Sequence, residues 1–102
     1  LVADTLLNKR VQVFDRNGEF QYQWSTPWAS DFVVPAMAIA RDGWVLMADA
    51  DRRRVWEYTL DGTEVVWWTA DVLARPIGLT LDAGDGIYLL DEQSKLVYRF
   101  AR

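Results

Sequence analysis

Short alternating runs separated by turn residues dominate this chain. Residues 11–15 read Val-Gln-Val-Phe-Asp, 45–48 read Val-Leu-Met-Ala, and 55–59 read Val-Trp-Glu-Tyr-Thr. Residues 87–90 read Ile-Tyr-Leu-Leu, and 96–100 read Leu-Val-Tyr-Arg-Phe. These β-branched, aromatic and aliphatic runs are bounded by Gly, Asp and Asn, so the pattern predicts short strands. Arg16-Asn17-Gly18, Arg41-Asp42-Gly43 and Leu60-Asp61-Gly62 supply the positive-φ residues that tight hairpins need. Asp82-Ala83-Gly84-Asp85-Gly86 is a longer version of the same turn. No stretch carries a sustained helical period with caps. Residues 71–74 could form one helical turn, which Pro76 would end.

The runs repeat. Leu1-Val2-Ala3-Asp4 leads to Arg10-Val11-Gln12-Val13-Phe14, and Leu46-Met47-Ala48-Asp49 leads to Arg54-Val55-Trp56-Glu57-Tyr58. Leu89-Leu90-Asp91 leads to Lys95-Leu96-Val97-Tyr98-Arg99-Phe100. Asp4, Asp49 and Asp91 fall 45 and 42 residues apart. A period of about 40–50 residues marks a β-propeller or a related array. Aligning the copies gives a four-strand unit. Strand A covers 37–40 and 79–81, each entered by a Pro. Strand B covers 1–3, 45–48 and 87–90. Strand C covers 11–15, 55–59 and 96–100, and strand D covers 20–24 and 65–68. The predicted fold is all-β: incomplete propeller blades over 1–24 (B-C-D), 35–68 (A-D) and 76–102 (A-C), forming one domain. Trp24 and Trp68 each lie six residues after a turn glycine, which makes them equivalent and gives them a packing role at the blade edge.

The repeat unit resembles the NHL repeat of six-bladed β-propellers. The resemblance rests on Pro35-Ala36-Met37-Ala38-Ile39-Ala40-Arg41-Asp42-Gly43, on Val2-Ala3-Asp4, and on Arg10-Val11-Gln12-Val13-Phe14. Ala36 departs from the early Gly that Gly78 keeps, and Lys95-Leu96 stands where the family has Arg-Val. Residues 54–68 also look like repeats of arylsulfotransferase-type and quinoprotein propellers. The resemblance implies a larger propeller of which this is a piece. Closure into a symmetric oligomer is the less favoured expectation, because joining the two partial blades would duplicate strands B and C. A second expectation from the resemblance is part of a metal-dependent lactonase- or lyase-type six-bladed propeller enzyme, of the kind that holds a central metal through carboxylates, amides or His. RNA-binding NHL domains give a third expectation.

Composition narrows the chemistry. Half the residues are apolar and a quarter charged, so the chain is globular material. There is no Cys and no His, which removes thiolate chemistry and the commonest general base. Ser25, Ser30 and Ser94 therefore have no imidazole to activate them. The net charge of -4 favours neither nucleic acid nor an anionic membrane. No apolar run approaches the roughly 20 residues of a membrane span, no signal segment is visible, and the compartment is open.

The repeating acids Asp4, Asp49 and Asp91 face the bases Arg10, Arg54 and Lys95 across hairpin mouths. They are expected to pair with them or to bond loop backbone, and a ring of carboxylates around Ca²⁺ is the less favoured reading. The 82–86 turn lacks the alternating ligands of a calcium loop. Arg52-Arg53-Arg54 is the only local charge run. With Lys9, Arg10 and Lys95 it puts six of eleven basic residues in B–C loops. Acids in the same loops and in the D–A loops leave that face near neutral, while the opposite face is acidic. Arg52, Arg53 and the aromatics Trp28 and Phe32 of the long 25–34 loop are the candidate binding residues. The expected role is a non-catalytic scaffold for a protein or small-molecule ligand, without cofactor or metal. Enzymatic activity is left open, nucleic acid is disfavoured, and self-association through open blade edges is an expectation.

Overall fold

The structure is a computed structural model that describes the backbone of residues 2–4 and all of residues 9–30 and 33–102. Ten strands and no helix occur among the described residues. The first sheet orders β1 (Val2–Asp4), β2 (Arg10–Phe14) and β3 (Phe20–Ser25). The second orders β4 (Met37–Ile39), β5 (Val45–Asp49), β6 (Arg54–Tyr58) and β7 (Val65–Trp68). The third orders β8 (Pro76–Leu81), β9 (Ile87–Asp91) and β10 (Leu96–Phe100). All pairings are antiparallel between consecutive strands. Residues 70–74 make one hydrogen-bonded turn, Leu73 N–H to Ala70 O, in place of the helical turn that the sequence allowed.

The repeat acids are strand residues, one position further into the ladder than the hydrophobic pattern alone suggests. Asp4 pairs with Arg10, Asp49 with Arg54 and Asp91 with Leu96. Lys95 therefore does not begin a strand. It corresponds to Arg53, and both sit in the left-handed region at φ 59° and 56°. Lys9 holds the same place before β2 at φ 49°. One left-handed residue before each third strand closes a turn that plain alternation cannot reveal. Pro76 opens β8, a strand position where a missing N–H is tolerated, and the register shifts between Pro76 and Gly78.

Alternation splits each strand between two seams. On one face of the second sheet, Val45, Met47 and Tyr58 join Val11, Val13, Trp24, Trp28 and Ala29 of the first sheet and its exit loop. On the other face, Leu46, Ala48 and Val55 join Leu73, Ile87 and Leu89, with Trp68 and Phe100 packed alongside. β8 packs against β4 and β5, so the strands that open the second and third sheets converge. The second sheet is therefore buried on both faces, and every residue of β5 is buried.

A candidate ligand groove on the loop face

The connection from β5 to β6 builds the site. Asp49 is 2% exposed, and its carboxylate accepts the Arg52 N–H at 3.1 Å and the Trp56 indole N–H at 2.9 Å. The short turn is thus tied at both ends, and three arginines follow in sequence. The Arg52 guanidinium donates to the Trp28 carbonyl and lies 3.8 Å from Asp49. The Arg53 carbonyl accepts the Thr69 hydroxyl, which joins the turn to the exit of β7. The Arg54 guanidinium lies over the Trp67 ring at 3.8 Å from its centroid, and 5.8 Å from that of Trp56.

These residues enclose a groove of about 250 Å³ whose far wall is the loop from Thr69 to Leu73. Among the described residues, Asp71 is the only acid that lines it. Among the described residues, the Arg53 and Arg54 side chains meet no carboxylate. Elsewhere Arg75 is held by Asp51 and Glu92, Arg99 by Asp82, and Arg102 by Asp42 and Glu57. The groove thus concentrates positive charge beside a half-exposed indole, a combination suited to an anion with an apolar part.

An aromatic stack of one buried and one partly buried indole lies beside the arginine turn. Trp28 and Trp56 lie parallel, with centroids 5.3 Å apart and planes 12° apart. The Trp28 indole N–H donates to the Tyr58 hydroxyl at 2.7 Å. Burial raises the Tyr58 pKa; the Trp28 hydrogen bond opposes that rise and the nearby Asp49 charge adds to it. Trp28 is only 6% exposed, so its ring is withdrawn from solvent while its carbonyl holds the Arg52 guanidinium.

The other sequence-derived candidates lie as follows. Phe32 and the Asp4 side chain fall outside the described residues. Arg10 opens β2, opposite Asp4 in the ladder. Trp24 and Trp68 pair with Val11 and Val55, and each fills a seam. No described bond joins Asp49 to Arg54: the Asp49 carboxylate is taken by Arg52 and Trp56, and Arg54 is drawn to Trp67. Asp91 is fully buried, and its carboxylate accepts four backbone N–H groups, from Ala74, Arg75, Gln93 and Ser94. Burial pushes its pKa up, but the bonds from Ser94, Ala74, Arg75 and Gln93 prevail and hold it at about 2. Asp82 caps its own turn by accepting from Gly84 and Gly86 N–H. Its pKa is lowered first by the Gly86 bond, against partial burial, with Gly84 and Arg99 adding. Sequence reading missed Trp67 and Thr69. Trp67 was masked by its neighbour Trp68, the repeat position; being one residue out of phase puts it on the other face. Among the described residues, no three carboxylates are arranged to hold a metal ion.

No protein-family profile matches this sequence, and no curated protein matches it. Among solved structures, the chain is similar to selenomethionine-substituted virginiamycin B lyase from Staphylococcus aureus, with a TM-score of 0.61 at 14% identity. The match covers 95% of this chain and 36% of that one, so this chain spans about a third of that protein's length. At that identity the likeness shows the fold: the three sheets are β-propeller blades, one with four strands and two with three.

Proposed function

We propose that this chain belongs to an NHL-like six-bladed propeller and serves as a non-catalytic scaffold whose loop face binds an anionic ligand. One observation carries the reading. Arg53 and Arg54 stand side by side in a groove, without a carboxylate partner among the described residues, next to a half-exposed Trp67. The likeness to a propeller supports the scaffold, and the groove supports carboxylate as the ligand chemistry, since a guanidinium fork matches two oxygens.

The test is a titration with citrate, followed by the backbone amide signals of Arg53 and Trp67. Citrate should shift both, and the double variant Arg53→Glu, Arg54→Glu should remove the shift while keeping the unfolding midpoint. Unmoved signals at millimolar citrate would overturn the reading. If a single-stranded RNA shifts the same signals and citrate does not, the RNA-binding alternative replaces it. The name of the S. aureus protein favours one further alternative, a lyase-type propeller enzyme. The full-length propeller, assayed for lyase turnover with and without added divalent metal, decides between that and a scaffold.

A further inference from the structure

Resting on that reading, we infer that the groove's partner is an extended acidic peptide that adds as a strand to the edge of β7. β7 is the outermost strand of the four-stranded sheet, and its outer edge pairs with no strand among the described residues. It reads Val65-Val66-Trp67-Trp68, with Val65, Val66 and Trp67 exposed by 47, 53 and 50%. Sheet edges are normally blunted by Lys, Pro, inward charges or a covering loop, and β7 carries none of those residues. The first sheet provides an internal control. Its outermost strand, β3, places Gln21, Gln23 and Ser25 at alternate positions, so its outward row is polar.

Charge gives the β7 edge a direction. Arg53 and Arg54 flank its Trp67 end, whereas Asp61 and Glu64 lie before its Val65 end. An added strand would bond the free backbone groups and set apolar side chains against Val65 and Trp67, with a carboxylate meeting the two arginines. A neutral strand would gain the first two contacts without the third, and a basic one would meet repulsion at the groove.

The probe is a capped hexapeptide of alternating Thr and Val ending in two Glu. Its controls are the same peptide with Gln for Glu, the same peptide N-methylated at alternate residues, and citrate alone. The peptide should slow hydrogen exchange at the β7 amides. Gln for Glu, or the variant Arg53→Glu, should weaken binding about tenfold, the weight of one hydrogen bond to a charged group. N-methylation, which removes edge pairing and keeps the charge, should abolish protection. If the N-methylated peptide binds as well as the parent, the edge inference fails. It fails too if β7 protection rises with protein concentration alone, because a second copy then covers the edge. Citrate shifting Trp67 while the peptide leaves β7 exchange unchanged sinks this inference and keeps the groove. Silence from both probes sinks both.

Discussion

Between the first and second sheets the buried faces meet through Trp24, Trp28 and Tyr58. Between the second and third they meet through Leu46, Ile87 and Leu89, with charged groups at the margins. The first seam is chiefly aromatic: Trp24 lies 5.7 Å from Tyr58, the Trp28 indole donates to the Tyr58 hydroxyl, and the Arg52 guanidinium reaches across to the Trp28 carbonyl. The second is tied by ions. Arg102 bridges Asp42 at 2.8 Å and Glu57 at 3.1 Å, Arg75 reaches Asp51 at 3.1 Å, and Asp85 accepts the Arg41 N–H at 3.1 Å. The same repeat thus closes one seam by aromatic area and the other by aliphatic packing with ionic ties. Aromatic burial is not weakened by salt screening, whereas exposed ion pairs are.

The largest expected break is Trp24→Ala. It should destabilise by about 3–5 kcal/mol through lost area and a cavity, equally at low and high salt, in urea unfolding. A marked salt dependence would contradict a seam closed mainly by aromatic area.

Next comes Asp91, which ties the loop leaving the second sheet to the end of β9. Asp91→Ala would leave four N–H groups without their acceptor and should lower stability by about 3 kcal/mol. The native carboxyl titrates near 2, below its ordinary 3.8. Its contribution is therefore complete above roughly pH 5, and it fades as pH falls through 4 towards 2. Acid unfolding curves of Asp91→Asn should be flatter than wild type in that window. A parallel curve would remove Asp91 from the acid response.

Gly62→Ala is a smaller probe of the aromatic seam. Gly62 has φ 75°, and an added Cβ would fall 2.6 Å from the Trp24 side chain. Strain and overlap together should destabilise by about 2 kcal/mol. The control is Gly43→Ala, at φ 91° with nothing within 4 Å, which should lose only the strain part. Equal midpoint shifts for the two variants would show that the Trp24 contact is loose.

The smallest effect belongs to Arg102→Ala. Its guanidinium is mostly covered and meets three carboxylates, Asp42, Glu57 and, at 4.0 Å, Asp85, yet such pairs give about 1 kcal/mol or less each. The difference from wild type should shrink in 1 M salt when both are melted side by side. A loss that persists unchanged would point to packing by the Arg102 stem.

Hydrophobic alternation and the Asp-Gly turns placed all ten strands to within a few residues, because strand period and turn chemistry are local properties. The recurring Asp residues could be seen, but the atoms they bind could not. Asp49 and Asp91 hold equivalent ladder positions, yet Asp49 takes an indole N–H and Asp91 takes backbone from the preceding loop. That choice follows from where neighbouring loops arrive. The groove was half legible: the Arg run stood out in the sequence, and its wall did not.

By itself, then, the sequence determined an all-β repeat, its strand order and its turns, since each depends on residues within one hairpin. Only the tertiary structure decided which aromatics face solvent, which arginines meet no carboxylate among the described residues and which strands lie at a sheet's edge. Trp67 joins Arg53 and Arg54 because β6 pairs with β7, and Trp28 is withdrawn beneath them because the first sheet packs on the second. Those are contacts between segments that strand periodicity does not encode.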